Sequence, residues 1–460
     1  MLLKSHRLLL LQLLIASIYV TSCFGTYYQN LDHFHRPTVL HRPPWYFRDQ
    51  QNYNYYYNRR PNYAHRRSYN NEFQASDPVT RSKVVNVNDY GAKADGTDDS
   101  QAFNKAWEEA CSYGGDVLMV VPENRVYVVK PVTFSGPCRS NNLEFKIYGT
   151  IKATDNPSDY SEDRRYWLRF SNVENLKVYG GGIIDGSGKI WWQNSCKVNQ
   201  ELPCRDAPTA MTFSDCSNLL VSSLWFQNAQ QMHLKFDKCF NVKALNLQVT
   251  APGDSPNTDG IHVTETKNIK IQNSVIRTGD DCISIVSGSK NVRAIDITCG
   301  PGHGISIGSL GAGNSAGYVS NVLVDKVRLS GTTNGLRIKT WQGGSGYAKN
   351  IIFQNVLMHN VTNPIIINQN YCDQDEPCPQ QYSAVEISNV MYSNIRGSSA
   401  SEDAITFSCS KSFPCQGIWL QSIALARQEL NQDDDQVAKA SCSNVGIITR
   451  GSVSPRCSSK

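Results

Sequence analysis

The chain has 460 residues, with 45 Lys and Arg against 40 Asp and Glu and a formal net charge of +5. The charge is uneven, because residues 1–25 carry +2 and residues 26–76 carry +4, which leaves −1 for residues 77–460. This nearly neutral main portion makes nucleic acid a poor candidate partner. No stretch after residue 25 is apolar enough to suggest a membrane helix.

The amino terminus has the pattern of a secretory signal peptide at residues 1–25. Lys4 and Arg7 precede the apolar run Leu8–Val20, and the small residues of "TSCFG" follow. Thirteen residues are too few to span a bilayer comfortably, although an uncleaved anchor is the alternative. We therefore expect a secreted, extracellular protein with no membrane contact after cleavage.

The next segment, residues 26–76, holds nine Tyr and seven Arg but no Lys. It has no apolar periodicity, so we predict a disordered or weakly ordered tail. Its positive charge suits a polyanionic polymer as partner. A removable propeptide or a plain linker is the alternative.

One helix is predicted from Asp98 to Gly114, with Asp98 or Asp99 as its cap. Four apolar residues share one face of this helix: Ala102, Phe103, Ala106 and Ala110. If the repeats that follow form a solenoid, its first coil needs a cover against water. We expect this helix to be that amino-terminal cap.

The remainder shows a weak internal repeat in which an asparagine opens an alternating apolar strand. The repeat begins at Asn175, Asn218, Asn241, Asn268, Asn291, Asn321 and Asn350. From Asn218 onward the steps are 23, 27, 23, 30 and 29 residues. A second short apolar strand follows each, as in "DGIHV", "DCISIV", "HGISIG" and "NGLRIK".

Short strands in units of 20 to 30 residues predict an all-β fold, a right-handed parallel β-helix spanning residues 77–460. The stacked asparagines would satisfy backbone groups of the turns from coil to coil. A sandwich or barrel is the alternative, since Asp259-Gly260 and Asn334-Gly335 could make hairpin turns. The acidic run Asp433–Asp435 suggests a surface loop near the carboxyl end.

Fifteen cysteines are present, and removing Cys23 with the signal leaves an even number. Export with an even count predicts several disulfides. Short spacings favour the pairs Cys196–Cys204, Cys282–Cys299, Cys372–Cys378 and Cys409–Cys415. The absence of a Cys-x-x-Cys motif argues against zinc, and no metal or cofactor is expected. The triplet beginning at Asn360 is a glycosylation candidate.

Charged residues and one tyrosine recur at intervals close to one coil, or one coil plus an insertion. The steps are 21 from Asp259 to Asp280, 23 to His303, and then 34 to Arg337 and 34 to Tyr371. In a solenoid this spacing stacks them into one stripe. Each could alone be an ordinary turn or solvated residue. Together with Asp281 and Lys339 they predict a carboxylate cluster flanked by cations.

The four motifs in this stripe resemble the signature of the polygalacturonases, glycoside hydrolase family 28, most closely the plant members. They read Asn257-Thr258-Asp259, Gly279-Asp280-Asp281, Gly302-His303-Gly304 and Arg337-Ile338-Lys339. The resemblance runs from about Val84 to Cys457, and residues 26–76 depart from the family pattern. It implies a secreted cell-wall enzyme that hydrolyses the α-1,4-galacturonosidic bonds of pectin with inversion.

The resemblance also implies roles for these residues. Asp280 would be the general acid, and Asp259 and Asp281 would hold and activate water. Crowding of carboxyls raises one pKa while another group stays charged. The remaining assignments are His303 tuning the acid or bonding a hydroxyl, with substrate binding by Asn257, Arg337, Lys339 and Tyr371.

Neighbouring strand residues point to opposite faces, so both Asp280 and Asp281 can reach one cleft only if the backbone bends there. A Cys282–Cys299 disulfide would fix that bend. Two rivals stay open: a calcium-dependent pectate lyase and a non-catalytic wall-binding β-helix. We expect a monomer that acts on internal bonds, with action at chain ends as the alternative.

Overall fold

The computed structural model describes residues 82–373, 378–428 and 437–457. The predicted signal peptide, the tail at residues 26–76 and the Asp433–Asp435 run lie outside the described residues. Those three features therefore stay predictions.

The described chain is built almost entirely of strands. In chain order they are β1 Lys83–Asn86, β2 Val117–Val121, β3 Val126–Val129, β4 Val132–Ser135, β5 Leu143–Ile147, β6 Thr150–Ala153, β7 Tyr166–Ser171, β8 Leu176–Tyr179, β9 Ile183–Asp185, β10 Thr209–Ser214, β11 Ser217–Ser222, β12 Trp225–Gln227, β13 Leu234–Asp237, β14 Phe240–Leu245, β15 Gln248–Thr250, β16 Ile261–Thr264, β17 Lys267–Arg277, β18 Ile283–Ile285, β19 Lys290–Cys299, β20 Ile305–Leu310, β21 Ala316–Ser330, β22 Asn334–Trp341, β23 Ser345–Val361, β24 Asn363–Tyr371, β25 Glu386–Ser399, β26 Asp403–Ser408, β27 Cys415–Arg427, β28 Lys439–Ser443 and β29 Val445–Ser454.

Helices are few and short. Among the described residues the α-helices are α1 Ser100–Ser112 and α2 Lys189–Gln193, and the 3-10 turns are Val87–Tyr90, Pro157–Tyr160 and Ala312–Asn314. No helix in the described ranges has the length and apolar character needed to cross a membrane.

The strands form two sheets, and every pairing between named strands is parallel. The second sheet consists of β4, β7, β10, β13, β16, β18, β20, β22, β24, β26 and β28, and the other 18 strands form the first. Along the second sheet, Leu234 pairs with Ile261, Ile261 with Ile283, and Ile283 with Ile305. Each step advances the chain by one coil. The fold is a right-handed parallel β-helix, as predicted, and a hairpin-built sandwich or barrel is excluded.

The core lies inside the coils, because alternate residues of both sheets point inward. Its largest members repeat at one position in successive coils. The ring of Phe170 stacks on Phe213 at 4.8 Å, and Phe213 stacks on Phe236 at 5.6 Å. Burial of this continuous interior, and not any single coil, stabilises the fold.

The asparagines of the repeat form a ladder at one corner of the coils. Side-chain amides bond from coil to coil at 2.7 to 3.4 Å, joining Asn175 to Asn241 and Asn268 to Asn389. Each of these residues has φ between 53° and 60°. Asparagine tolerates this left-handed conformation better than other side chains, which explains the recurrence. The amides bond one another, whereas we predicted bonds to turn backbone groups.

Helix α1 packs on the first coils, close to its predicted bounds. Its buried face adds Trp107 to the four predicted residues, and the Trp107 ring lies 5.1 Å from Phe134 and 5.6 Å from Phe170. The helix therefore covers the aromatic end of the core. Asp99 stands at the cap position, but its carboxylate accepts from the backbone N–H groups of Lys93 and Ala94 instead of from the helix.

Six disulfides join described cysteines. The four pairs expected from spacing are among them, and Cys111–Cys138 and Cys442–Cys457 are additional. Cys216 and Cys239 are buried and free. The even count therefore does not translate into complete pairing.

Candidate active site

The predicted stripe lies on the outer face of the second sheet, along the edge at which its strands begin. Strand register places His262 beside Ser284, Ser284 beside Ser306, and Ser306 beside Arg337. The carboxyl-bearing residues stand just before these strands, so successive coils bring them together. The common register that the sequence predicted is therefore present.

The chain bends between β17 and β18, where Asp280 and Asp281 both face the site. Thr258 Oγ1 accepts from the Gly279 backbone N–H at 3.0 Å, which fastens this bend to the previous coil. A Cβ on Gly279 would lie 2.0 Å from Ser255 O, so this position has room for glycine alone. Cys282, the next residue after the pair, is bridged to Cys299 as expected.

Asp281 is held by two cations and a hydroxyl. Arg337 Nη2 donates to Oδ1 at 2.8 Å, Lys339 Nζ lies 3.2 Å from Oδ2, and Ser306 Oγ donates to Oδ1 at 2.7 Å. Arg337 Nε also donates to Ser306 Oγ at 2.9 Å. The Asp281 side chain is 2% exposed, and a carboxylate buried this deeply requires such partners. Arg337 and Lys339, predicted to bind substrate, thus have Asp281 as their first partner.

Asp280 forms an ion pair with His303, whose Nδ1 lies 3.0 Å from Oδ1. The hydrogen bond to Asp280 raises the pKa of His303 above its ordinary 6.5, despite the opposing effect of burial. Burial would raise the pKa of Asp280, but the His303 hydrogen bond and charge outweigh it and hold that pKa below 3.8. The proton of this pair therefore resides on the imidazole.

Asp259 has a different environment, because no Arg or Lys among the described residues is ion-paired with it. Ser284 Oγ donates to Asp259 Oδ2 at 2.6 Å, and His262 Nδ1 lies 2.7 Å from Ser284 Oγ and 3.8 Å from the same carboxylate oxygen. Burial first, and the charge of Asp280 second, raise the pKa of Asp259 above 3.8.

The three carboxyls are thus separated by environment, as a hydrolytic site requires, but not in the expected order. From the sequence we expected the raised pKa at the general acid, Asp280. In the structure the raised values belong to Asp259 and His303. His303, whose Nδ1 lies 3.0 Å from Asp280 Oδ1, is therefore placed to supply a proton to that carboxylate.

These groups are poor metal ligands. One ligand atom each from Asp280, Asp281 and His303 lies within 4.8 Å of the others. However, both oxygens of Asp281 are already taken by Arg337 and Lys339. A cation here would have to displace two resident cations.

Tyr371 lies at the exit edge of the stripe, at the end of β24. Its ring packs edge-on against Trp341 at 5.3 Å, and Lys339 Nζ lies 5.4 Å from the ring centre. Burial raises the pKa of Tyr371 to about 12. The phenol is therefore neutral at physiological pH and can offer its ring edge and hydroxyl to a ligand.

Two disulfide-bridged segments come close to one another at Lys197 and Asp373. The Cys196–Cys204 loop precedes β10, whereas the Cys372–Cys378 bridge follows β24, so the two leave opposite edges of the second sheet. Lys197 Nζ and Asp373 Oδ1 nevertheless lie 3.0 Å apart. This ion pair joins the segment that precedes β10 to the segment that follows β24.

Sequence reasoning missed His262, Ser284 and Ser306, which hold Asp259 and Asp281 in place. A signal was present, since each is the polar residue at the same position of "GIHV", "CISI" and "GISI". Polar residues at an otherwise alternating position of stacked strands indicate a shared row. Asn257 lies in the coil of Asp259, half-buried, with φ of 54°.

Comparisons of the sequence point to one family. The model of the glycosyl hydrolases family 28 matches residues 111–449. Polygalacturonase QRT2 of Arabidopsis thaliana is 57% identical over 95% of this chain and 97% of its own length. Polygalacturonase-2 of Solanum lycopersicum is 55% identical over 82% of this chain and 81% of its own.

Solved structures share the fold. The endo-xylogalacturonan hydrolase of Aspergillus tubingensis matches with a TM-score of 0.67 at 22% identity, over 81% of this chain and all of that one. The polygalacturonase of Erwinia carotovora matches with a TM-score of 0.65 at 22% identity, over 82% of this chain and all of its own. At this identity the likeness concerns architecture alone.

Proposed function

Because the chain belongs to the glycosyl hydrolases family 28, and is therefore a glycosidase, we propose that it hydrolyses the α-1,4-galacturonosidic bonds of pectin. The observation that carries the proposal is the grouping of Asp259, whose pKa is raised, with Asp280, whose pKa is lowered, beside Asp281, which is ion-paired with Arg337 and Lys339. Glycoside hydrolysis needs one carboxyl to donate a proton and another to receive one.

In the proposed reaction, the proton on His303 moves to Asp280 and from there to the glycosidic oxygen as the C–O bond breaks. Entry of a polymer excludes water from the pair and disfavours two separated charges, which promotes this transfer. His303 is then the proton reservoir and Asp280 the group that contacts the leaving oxygen.

Ionised Asp259 accepts the proton of the attacking water, which forms the new C–O bond at the sugar. Its raised pKa means that it becomes competent only as the pH rises above that value. Asp281, ion-paired with Arg337 and Lys339 throughout, helps to position the water. We propose inversion at the sugar carbon, in line with the family resemblance.

The substrate proposal rests on the cations. Arg337 uses Nε and Nη2 within the site, and its guanidinium has further donors for a galacturonate carboxylate. Lys339 and Tyr371 stand together beside it. We propose action on internal bonds, with action at chain ends as the alternative.

We further propose that the protein is a secreted monomer of the cell wall, consistent with six disulfides among the described cysteines. Asn360 is exposed on β23 and stays a candidate glycosylation site. The basic tail at residues 26–76 would strengthen adhesion to pectate in a salt-sensitive way. Equal retention of full-length and tail-deleted protein on a pectate column at low salt would contradict the adhesion proposal.

The deciding experiment is product analysis on polygalacturonic acid. We expect new reducing ends, saturated products and an inverted anomer in early NMR spectra, without added calcium. Unsaturated, ultraviolet-absorbing products would indicate a lyase, and no products at all would support the non-catalytic wall-binding alternative. Product lengths separate internal from terminal cleavage.

A further inference from the structure

Asp259 relies on a hydroxyl group, whereas both neighbouring aspartates have charged partners. Asp281 is bonded by two cations and a hydroxyl, and Asp280 by an imidazole. In the described ranges, the hydrogen bond to the Asp259 side chain comes from Ser284, which is itself in contact with His262. The proposed reaction uses Asp259 as the base and leaves His262 without a role.

The register of the second sheet fixes these three residues relative to one another. His262 on β16 pairs with Ser284 on β18, and Asp259 stands three residues before His262. Ser284 is 2% exposed, and the side chains of His262 and Asp259 are 13% and 12% exposed. Solvent therefore has little access to replace a lost partner, and an unmet hydrogen bond at a buried carboxylate is costly.

The hydrogen bonds of this chain run in one direction when Asp259 is ionised. Ser284 Oγ lies 2.6 Å from Asp259 Oδ2 and donates its single proton there. The same oxygen then accepts from His262 Nδ1 at 2.7 Å, so that nitrogen carries a proton. His262 Nδ1 lies 3.8 Å from the carboxylate oxygen itself, beyond hydrogen-bond distance. It therefore acts on Asp259 through the Ser284 hydroxyl.

The surroundings of Asp259 oppose its ionisation, and His262 counteracts them. Burial first, and the charge of Asp280 second, raise the pKa of Asp259, and the charge of Asp281 adds to the rise. The His262 imidazole lowers the same pKa. A donor directed at the ionised carboxylate stabilises that form against both burial and like charge. Loss of the donor should therefore raise the pKa of Asp259 further.

The preceding coil contributes two more titratable groups, on strand β13 and just before it. Lys235 lies beside His262 in the strand register. His233 Nδ1 lies 3.1 Å from the backbone oxygen of Asp259, and burial lowers the pKa of His233 to about 4, so this imidazole is neutral above that pH. Neither side chain is bonded to Ser284 in the part of the chain that the structure describes. The hydrogen-bond chain therefore ends at His262.

We propose that His262 is a positioning residue that orients the Asp259 carboxylate and stabilises its ionised form through the hydroxyl of Ser284. The Nδ1–H of His262 holds the hydroxyl proton on Asp259 Oδ2, which leaves Oδ1 to accept the proton of the attacking water. The inference rests on the proposed function, in which Asp259 is the base. It assigns a role to a residue outside the four signature motifs.

The test is the pH profile of kcat/KM on polygalacturonate, measured with the full chain. His262→Leu should move the acid limb to higher pH by about 0.5 to 1 unit, and Ser284→Ala by at least as much, since ionised Asp259 loses the stabilisation of one hydrogen bond. The alkaline limb, which we assign to His303, should stay in place. In the Ser284→Ala background, His262→Leu should add no further shift, because the chain is already broken.

His262→Asn is the conservative variant. Its side-chain amide can donate to Ser284 Oγ from the position of Nδ1, so it should retain the parental acid limb. His359→Leu is the matched control, because this histidine is exposed on β23 of the first sheet, and it should keep the parental profile. Ser284→Ala deletes a single heavy atom and keeps the test decisive if His262→Leu does not fold.

An acid limb that stays at the parental pH in Ser284→Ala, or a His262→Leu shift of equal size in both backgrounds, would overturn the proposal. Activity lost equally at every pH would make His262 a purely structural residue and would overturn it as well. The unsubstituted enzyme checks the proposed function separately. If it releases no reducing ends from polygalacturonate, the hydrolase assignment fails. If it releases them and the acid limb does not respond to either variant, the role of His262 alone fails.

Discussion

Two rows of side chains run along the same solenoid and differ in what they can tolerate. At the asparagine corner, a neutral amide inside a run donates to one neighbour and accepts from the next, as Asn291 does with Asn268 and Asn321. On the outer face of the second sheet the stacked residues are charged, and Asp281 needs Arg337 and Lys339 beside it. The asparagine row can therefore be extended by further identical residues, whereas the charged row works only with its particular combination of acidic and basic residues.

Both rows recur about once per coil, but we expect one to contribute to stability and the other to catalysis. Substitutions in the amide row should change stability and leave catalysis intact. Substitutions in the charged row should change catalysis first. Four experiments test that division.

The largest effect is expected for Asp280→Asn. The amide keeps the shape of the side chain but carries no acidic proton that it could transfer to the leaving oxygen, so kcat on polygalacturonate should fall by about 10²- to 10⁴-fold. Circular dichroism should show an unchanged fold. Reducing-sugar release close to that of the parent enzyme would remove Asp280 from the reaction.

A smaller loss is expected for Arg337→Lys. Lysine donates from a single atom and cannot reproduce the planar fork with which Arg337 Nε and Nη2 hold Ser306 and Asp281 at 2.9 and 2.8 Å, so the contact to the buried carboxylate is weakened. We expect kcat/KM to fall by about 10- to 100-fold, the range of a lost buried charge contact. Arg328→Lys, on an exposed position of the first sheet, is the control and should keep parental kinetics.

The third experiment concerns pH. His303 has its pKa raised above 6.5, so the proposed proton reservoir is full below 6.5 and empties as the pH climbs through that raised value. The raised pKa of Asp259 sets the acid limb, because activity appears once this carboxyl ionises above 3.8. The profile of kcat/KM should be bell-shaped between these two groups.

His303→Asn tests this assignment, since the amide can still bond Asp280 from the position of Nδ1 but does not titrate. The alkaline limb should move to more acidic pH, while the acid limb stays in place. His303→Ala removes the bond as well and should lower activity at every pH. An alkaline limb that is identical in His303→Asn and the parent would assign it to another group.

The smallest effect on activity is expected for Asn291→Ala in the amide row. The substitution deletes bonds of 2.8 and 3.1 Å and places alanine at φ of 59°. We expect the free energy of unfolding to fall by about 2 kcal/mol with kcat unchanged. Asn291→Gly, which accepts this φ, should lose less. A large drop in kcat for either variant would contradict the statement that the amide row affects stability and not catalysis.

The sequence was enough to predict the fold, because period-2 strands separated by asparagines at near-constant steps leave few architectures. It was also enough to predict which residues meet, since Asp259, Asp280, His303 and Arg337 recur at intervals of about one coil. The sequence could not predict which of these side chains would pair with one another. Asp281 pairs with both Arg337 and Lys339. This pairing depends on the strand face that each side chain occupies, and on the bend at Gly279 that turns Asp280 and Asp281 toward the same side.

The protonation order was also out of reach, because it depends on burial and on one contact between His303 and Asp280. A cavity beside Asn257 could not be predicted either. It is formed by α2 and a disulfide-closed loop that belong to no repeat. The position of a repeated segment can be predicted from its spacing in the sequence, whereas the conformation of an insertion between repeats cannot.

The ion pair between Lys197 and Asp373 has a kinetic consequence. We expect a bound polymer to pass beneath this ion pair, so that a chain can enter from a free end, or from the side once the pair opens. Both side chains are about half exposed, at 48% and 53%, and such pairs are weak and screened by salt. Ionic strength should therefore change how often the enzyme dissociates from a polymer chain between successive cleavages, even where the rate of each cleavage is unchanged.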